Sequence, residues 1–231
     1  SATSTVFVYA DDFLAEGITF ENTAGEGKEI GQACAITVDA DRAAFLNCRF
    51  VANQDTIYTY GKGQRQYFRN CHIEGTTDFI FGASTVFFDN CTILSKKNSY
   101  ITAASTPKGA AYGYVFSNCR FIHAEGVDKV YLGRPWRPYA RTVIKNCYLD
   151  SHILKEGWHN WNKPYAEKTT YYAEYGNEGP GAAPQKDRVR WSHGLKPKEA
   201  AGYVPCVVLD AGSEIDRNGF DIKTEWYFKV F

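Results

Sequence analysis

Short apolar stretches rich in Val, Ile, Phe and Tyr recur along this chain, separated by Gly, Asn and Asp turns. Each is long enough for a β-strand of about 4–6 residues and too short for a helix. Helical periodicity is nearly absent, and one short helix is expected near KPKEAAG. Five of the stretches end in the same pair: Asn47-Cys48, Asn70-Cys71, Asn90-Cys91, Asn118-Cys119 and Asn146-Cys147, as in AAFLNCRF, QYFRNCHI and TVFFDNCTI. Asn22-Thr23 reads as a sixth copy with Thr in place of Cys.

A strand-only unit that recurs every 20 to 28 residues cannot bury its own apolar face, so neighbouring units must stack into a solenoid. The predicted fold class is all-β, a parallel β-helix whose equivalent residues stack at the strand spacing of about 4.8 Å. In that register the Asn side chains form a hydrogen-bonded ladder at a turn with unusual backbone angles. The Cys residues form an interior column of small, buried apolar groups. In-register stacking does not supply the geometry a disulfide needs, so the five are expected to remain free thiols. The solenoid is expected over residues 1–205, with long loops at 155–205, and residues 206–231 carry no repeat.

Lys plus Arg and Asp plus Glu are equal at 26 each, which gives no overall field for nucleic acid or an anionic membrane; local basic patches are not excluded by the balance. No apolar run approaches the ~20 residues of a membrane span. Seven Cys include no CxxC, which argues against a zinc-ribbon or thioredoxin site. Ser1 rather than Met begins the sequence, as in a processed or cut chain. The high aromatic content, 16%, suits both a core and a surface that grips sugar rings.

The repeat also serves as a ruler. Asp55 and Asp78 each lie seven residues after the Cys of their unit, Cys48 and Cys71. A β-helix therefore stacks them on adjacent coils. Two carboxylates so close cannot both ionise freely, which suits one nucleophile and one acid/base. Gln32 and Gln54 lie near the same stripe, as oxyanion donors or as an ordinary polar ladder. Arg134, two coils on, either reaches back to hold Asp78 ionised or sits on the surface. Trp136 either stacks on a sugar face or joins the core.

The segments GITFENTAG, GQACAI, NQDTIY, TTDFIFGAS and YLGRPWRPYARTV resemble, in order and spacing, the signature segments of pectin methylesterases; GWHNWN and YYAEYGNEGPGA match as well. The resemblance covers about residues 5–200. It implies a right-handed parallel β-helix that hydrolyses C6 methyl esters of galacturonate in homogalacturonan. It further implies Asp78 as nucleophile, Asp55 as general acid/base, Gln54 and Gln32 as oxyanion and substrate amides, and Arg134 as the residue fixing the nucleophile. Trp136, Tyr58 and Phe81 would wall the sugar groove. No metal or cofactor is implied, and the partner is pectin, bound by a secreted monomer in an extracellular or periplasmic setting. Family members carry further coils, a Gly-x-Tyr-x-Glu segment and a substrate-contacting Thr ahead of the point where this sequence starts, so a β-helix lacking its N-terminal coils is expected. Two rival functions remain at this level: a pectin-cleaving hydrolase or lyase on the same scaffold, and a non-catalytic pectin-binding solenoid.

Overall fold

The computed structural model describes residues 3–209 and 226–227. Its strands come in triplets. The first coil holds β1 (Val6–Val8), β2 (Leu14–Glu16) and β3 (Thr19–Glu21), and the second holds β4 (Ile36–Val38), β5 (Ala43–Leu46) and β6 (Arg49–Val51). The third and fourth hold β7 (Ile57–Thr59), β8 (Arg65–Arg69), β9 (His72–Gly75), β10 (Ile80–Gly82), β11 (Thr85–Asp89) and β12 (Thr92–Ser95). The fifth and sixth hold β13 (Tyr100–Ala104), β14 (Tyr114–Ser117), β15 (Arg120–His123), β16 (Tyr131–Gly133), β17 (Arg141–Lys145) and β18 (Tyr148–Leu149). Every third strand pairs in parallel, giving sheets β1-β4-β7-β10-β13-β16, β2-β5-β8-β11-β14-β17 and β3-β6-β9-β12-β15-β18. This is the expected right-handed parallel β-helix.

The interior is a set of stacked columns. Phe45, Phe68, Phe88 and Phe116 sit in register on β5, β8, β11 and β14, with successive ring centroids 4.7, 5.0 and 4.4 Å apart. All four are fully buried, and each contributes on the order of 2 kcal/mol of apolar burial. The column explains why Phe recurs two residues before four of the five Asn, with Ile144, the register partner of Phe116, in that place before Asn146.

Asn47, Asn70, Asn90, Asn118 and Asn146 all take left-handed angles, with φ between 52° and 56°, which Asn tolerates better than most residues. Their amides form part of the expected ladder: Asn90 Nδ2 donates to Asn70 Oδ1 at 2.8 Å, Asn70 to Asn47 at 3.2 Å, and Asn47 to Glu16 at 3.2 Å. The five Cys behind them are buried free thiols, donating to backbone carbonyls such as Leu46 O and Phe45 O at 3.3 Å.

The sixth copy is corrected. The register Thr19↔Arg49 places Gly17-Ile18, not Asn22-Thr23, opposite Asn47-Cys48. Gly17 supplies the left-handed turn, with φ 66°. Asn22 instead donates its amide to Thr3 O and Cys34 O, and Thr23 is exposed. Coil length varies through the loops, so even spacing misassigned the pair.

The stretch 155–205, expected as long loops, does contain 3₁₀ turns at Pro164–Lys168 and Gln185–Asp187. It also adds β19 (Tyr171–Tyr175) and β20 (His193–Gly194) to the β17 edge of its sheet. The short helix near KPKEAAG is α1 (Pro197–Ala200), followed by α2 (Pro205–Val208). Both lie against the outside of the same sheet, where Tyr67, Phe87, Val115 and Val143 meet Ala200, Val208 and Leu209. Most of the unassigned segment 206–231 lies outside the described residues. No helix among the described residues is long and apolar enough to cross a membrane.

Candidate active site

Asp55 and Asp78 each stand two residues before a strand of the first sheet. The pairing Ile57↔Ile80 puts them one above the other on adjacent coils. Both adopt left-handed angles, φ 67° and 49°, which cost energy for residues other than Gly and turn these side chains out of the strand alternation. Their backbones are held coil to coil: Asp55 N donates to Thr77 O, and Asp78 N to Tyr100 O. Both carboxylates are largely buried, at 4% and 6% exposure.

Arg134 reaches back two coils, as the spacing allowed. Its Nε donates to Asp78 Oδ1 at 2.9 Å and its Nη2 to Oδ2 at 2.7 Å. The strand before it approaches β13 closely: a Cβ at Gly133 would fall 2.0 Å from Thr102 Oγ1, so Gly is required there for Arg134 to sit at this depth. The guanidinium lies between two rings, 3.9 Å from the Tyr100 centroid and 3.7 Å from the Trp161 ring.

These surroundings separate the two acids. Burial lifts Asp78 above the ordinary carboxylate value, and the Arg134 hydrogen bonds and charge pull it back. Among the described residues Asp55 has no such donor, and burial first, then the Asp78 charge, raises it to about 7. The pair therefore holds one proton near neutrality, favouring Asp55. Cys34, close to the cleft, is pushed up to about 11, chiefly by burial, so at neutral pH it is a thiol rather than a nucleophilic thiolate.

The cleft has a volume of about 350 Å³ and is lined by Gln32, Gln54, Tyr58, Phe81, Trp136 and Trp161 along with the two acids and Arg134. Tyr58 and Phe81 are register partners and stack at 4.3 Å, with planes 9° apart. Trp136 closes the corner at 6.1 and 5.8 Å from them. Gln54 is half-buried and Gln32 exposed. All eight residues singled out in the sequence thus meet in one cleft. Trp161 and Tyr100 were not among them. GWHNWN gave a signal in its two Trp residues, but only the fold separates them: Trp158 is buried in the core, whereas Trp161, at φ 57° with its N–H on His159 Nδ1, faces the cleft.

The clamp on Arg134 makes a first prediction. Arg134→Lys removes the planar fork and its stacking on both rings. The kcat for substrate turnover should fall by about 100-fold and the acid limb of its pH profile should move upward, with KM little changed. A kcat near that of the parent chain would remove Arg134 from the mechanism.

A family model described as Pectinesterase matches residues 1–210. Pectinesterase 31 of Arabidopsis thaliana is 45% identical over 207 residues, 89% of this chain, and this chain spans only 63% of that relative's length. The pectin methylesterase from carrot superposes with a TM-score of 0.84 at 34% identity, over 95% of this chain and 72% of its own. A pectin methylesterase solved in complex with a hexasaccharide superposes with a TM-score of 0.76 at 31% identity, over 92% of this chain and 73% of its own.

Proposed function

Because this chain belongs to the pectinesterase family, we propose that it hydrolyses the C6 methyl esters of galacturonate units in homogalacturonan, releasing methanol and pectate. The observation that supports this best is the asymmetric carboxylate pair: Asp78 gripped by Arg134 through two hydrogen bonds beside Asp55 raised to about 7, in a cleft with aromatic walls. Aromatic faces suit the apolar faces of sugar rings, and a methyl ester carries no charge that would resist entry.

In the first half-reaction an Asp78 oxygen attacks the ester carbonyl carbon. The carbonyl oxygen becomes an oxyanion, which the amide N–H groups of Gln54, assisted by Gln32, stabilise. The intermediate collapses by breaking the bond to the methoxy oxygen, and Asp55 gives that oxygen its proton, so methanol leaves. The galacturonoyl group is then held on Asp78 as a mixed anhydride. In the second half Asp55, now a carboxylate, takes a proton from water as the water oxygen attacks the same carbon. Asp78 leaves as a carboxylate, Arg134 stabilises it, and Asp55 is again protonated. The site is restored without any outside reagent. The chain acts as a monomer on wall pectin, in an extracellular or periplasmic setting.

The test is methanol release from esterified pectin with viscosity followed in parallel. Methanol without loss of viscosity is the expected result. A fall in viscosity would point to chain cleavage, and binding without methanol to a non-catalytic solenoid. The pH dependence follows from the acid in use. Acylation needs Asp55 protonated, so kcat/KM should fall as pH rises through about 7, approaching tenfold per unit beyond it. It should fall again on the acid side as Asp78 takes up its proton. A profile flat from pH 6 to pH 9 would show that Asp55 is not the acid.

A further inference from the structure

The two rings that flank Arg134 come from separate parts of the chain, and one side chain braces both residues. His159 packs its imidazole against Tyr100, with ring centroids 5.4 Å apart, and accepts the Trp161 backbone N–H on Nδ1 at 3.0 Å. Tyr131, stacked on Tyr100 at 5.4 Å, lies 5.2 Å from the same imidazole. The His159 backbone is tied to the residue before Arg134, its N–H donating to Gly133 O at 3.0 Å.

Trp161 depends on local bonds to stay where it is. Trp161 and Asn162 both adopt left-handed angles, φ 57° and 53°, which cost a residue with a Cβ about 1–2 kcal/mol each. His159 Nδ1 supplies one compensating bond, in the pattern that Asn and Asp side chains make with the backbone two residues on. Asn160 makes the same bond to Asn162, its Oδ1 accepting that N–H at 2.9 Å. The His159 bond differs in one respect. Imidazole accepts at Nδ1 only when that nitrogen carries no proton, so the ring is neutral with its proton on Nε2.

We propose that His159 is a positioning residue: neutral, it holds Trp161 over Arg134, and protonated, it releases Trp161, so that the grip on Asp78 loosens at acid pH. This rests on reading the cleft as the ester-hydrolysing site. The titratable and charged groups facing the imidazole are Tyr100 of β13, Tyr131 of β16 and Arg134 just beyond that strand. Glu156, upstream on the stretch that carries His159, acts on Tyr131. Phenols do not titrate on the acid side of neutrality, so Arg134 is the charge that bears on His159. Burial first, then that cation, holds the imidazole below its ordinary value, and the release therefore falls on the acid side of about 6.5. Protonation removes the acceptor and sets a second positive charge near Arg134.

The experiment reads Trp161 by acrylamide quenching, as the difference between each chain and its Trp161→Phe counterpart, at about pH 7 and about pH 4.5. Three chains are compared. The parent is one. His159→Asn places an amide oxygen where Nδ1 stood, an acceptor that takes up no proton. His159→Phe keeps a ring against the two tyrosines and has no acceptor. Trp161 of the parent should be protected at the higher pH and quenched about threefold more strongly at the lower one. It should stay protected at both in the Asn variant and be quenched at both in the Phe variant. Near neutrality the Phe variant should lose about tenfold in kcat for methanol release, the worth of one hydrogen bond, and the Asn variant should recover most of it with a shallower acid limb. A parent quenched equally at both pH values, or an Asn variant with the parent's pH response, would overturn the proposal, as would equal kcat in the Phe and Asn variants. Should the Phe variant not fold, the parent and the Asn variant decide alone. If quenching follows the expected pattern and no chain releases methanol, the esterase reading fails and the brace on Trp161 stands.

Discussion

Asp78→Asn should abolish methanol release, with kcat/KM reduced by at least about 10⁴-fold. The expectation follows from what Arg134 does to this position. The guanidinium binds both carboxylate oxygens, so the group is aligned as a charged, two-acceptor anion. An amide keeps one acceptor, turns an NH₂ toward the Arg, and has almost no nucleophilicity toward an ester. The loss should appear at every pH, because no titration restores the missing anion. It should also appear in a single-turnover experiment, since the first bond-forming step is the one removed. Retention of even 1% of the parental rate would mean that another group attacks the ester.

Asp55→Asn should behave differently. Acylation should slow by about 10²- to 10⁴-fold, the usual worth of a general acid. A galacturonate ester with a better leaving alcohol should recover part of the rate, because such an alcohol departs with less protonation. Deacylation, which needs Asp55 as base, should remain slow, so the covalent intermediate on Asp78 should accumulate with the activated ester. Mass spectrometry of the quenched variant reads this directly. Rescue of Asp78→Asn with none of Asp55→Asn would mean the two roles are reversed.

The same substitution carries a stability signature of opposite sign. An unfolded Asp titrates near 4, whereas folded Asp55 titrates near 7. Between these values the folded chain retains a proton that the unfolded chain has released. Stability from this group therefore falls as pH rises from about 4 to about 7, and the penalty is complete above that window. Asp55→Asn removes the penalty, so the variant should be more stable than the parent at pH 8, by about 1–4 kcal/mol, and by less at pH 5. Urea unfolding at the two pH values measures the difference. A gain that is the same at both would sink the raised titration of Asp55. With the expected difference, the carboxylate pair proposed for catalysis is a place where the fold gives up stability, consistent with the left-handed angles both residues adopt.

Much of this arrangement was legible before any coordinates. A β-helix converts a fixed sequence offset into vertical stacking, because each coil pairs with the next in register. The seven-residue offset from Cys48 and Cys71 was therefore enough to bring Asp55 and Asp78 together, and the Asn-Cys repeats were enough to establish the ladder and the thiol column. The sequence segments around Gln54, Phe81 and Arg134 carried the family resemblance for the same reason. Each lies on or beside a strand of the first sheet, β7, β10 or β16. The error at Asn22-Thr23 shows the limit of this reading. Gly17-Ile18 fills the equivalent position because the loop after β3 is longer than those of later coils, and counting residues cannot see how loops distribute length between strands.

The repeat and the acid pair thus belong to the sequence, since both depend on local strand periodicity and parallel registration. Only the tertiary structure decided which rings flank Arg134, Tyr100 and Trp161, and which Trp of GWHNWN enters the core. Tyr100 opens β13, whereas Trp158 and Trp161 come from the irregular stretch after β18. A loop residue's position depends on the path its backbone takes over the finished solenoid, and no period in the sequence records that path.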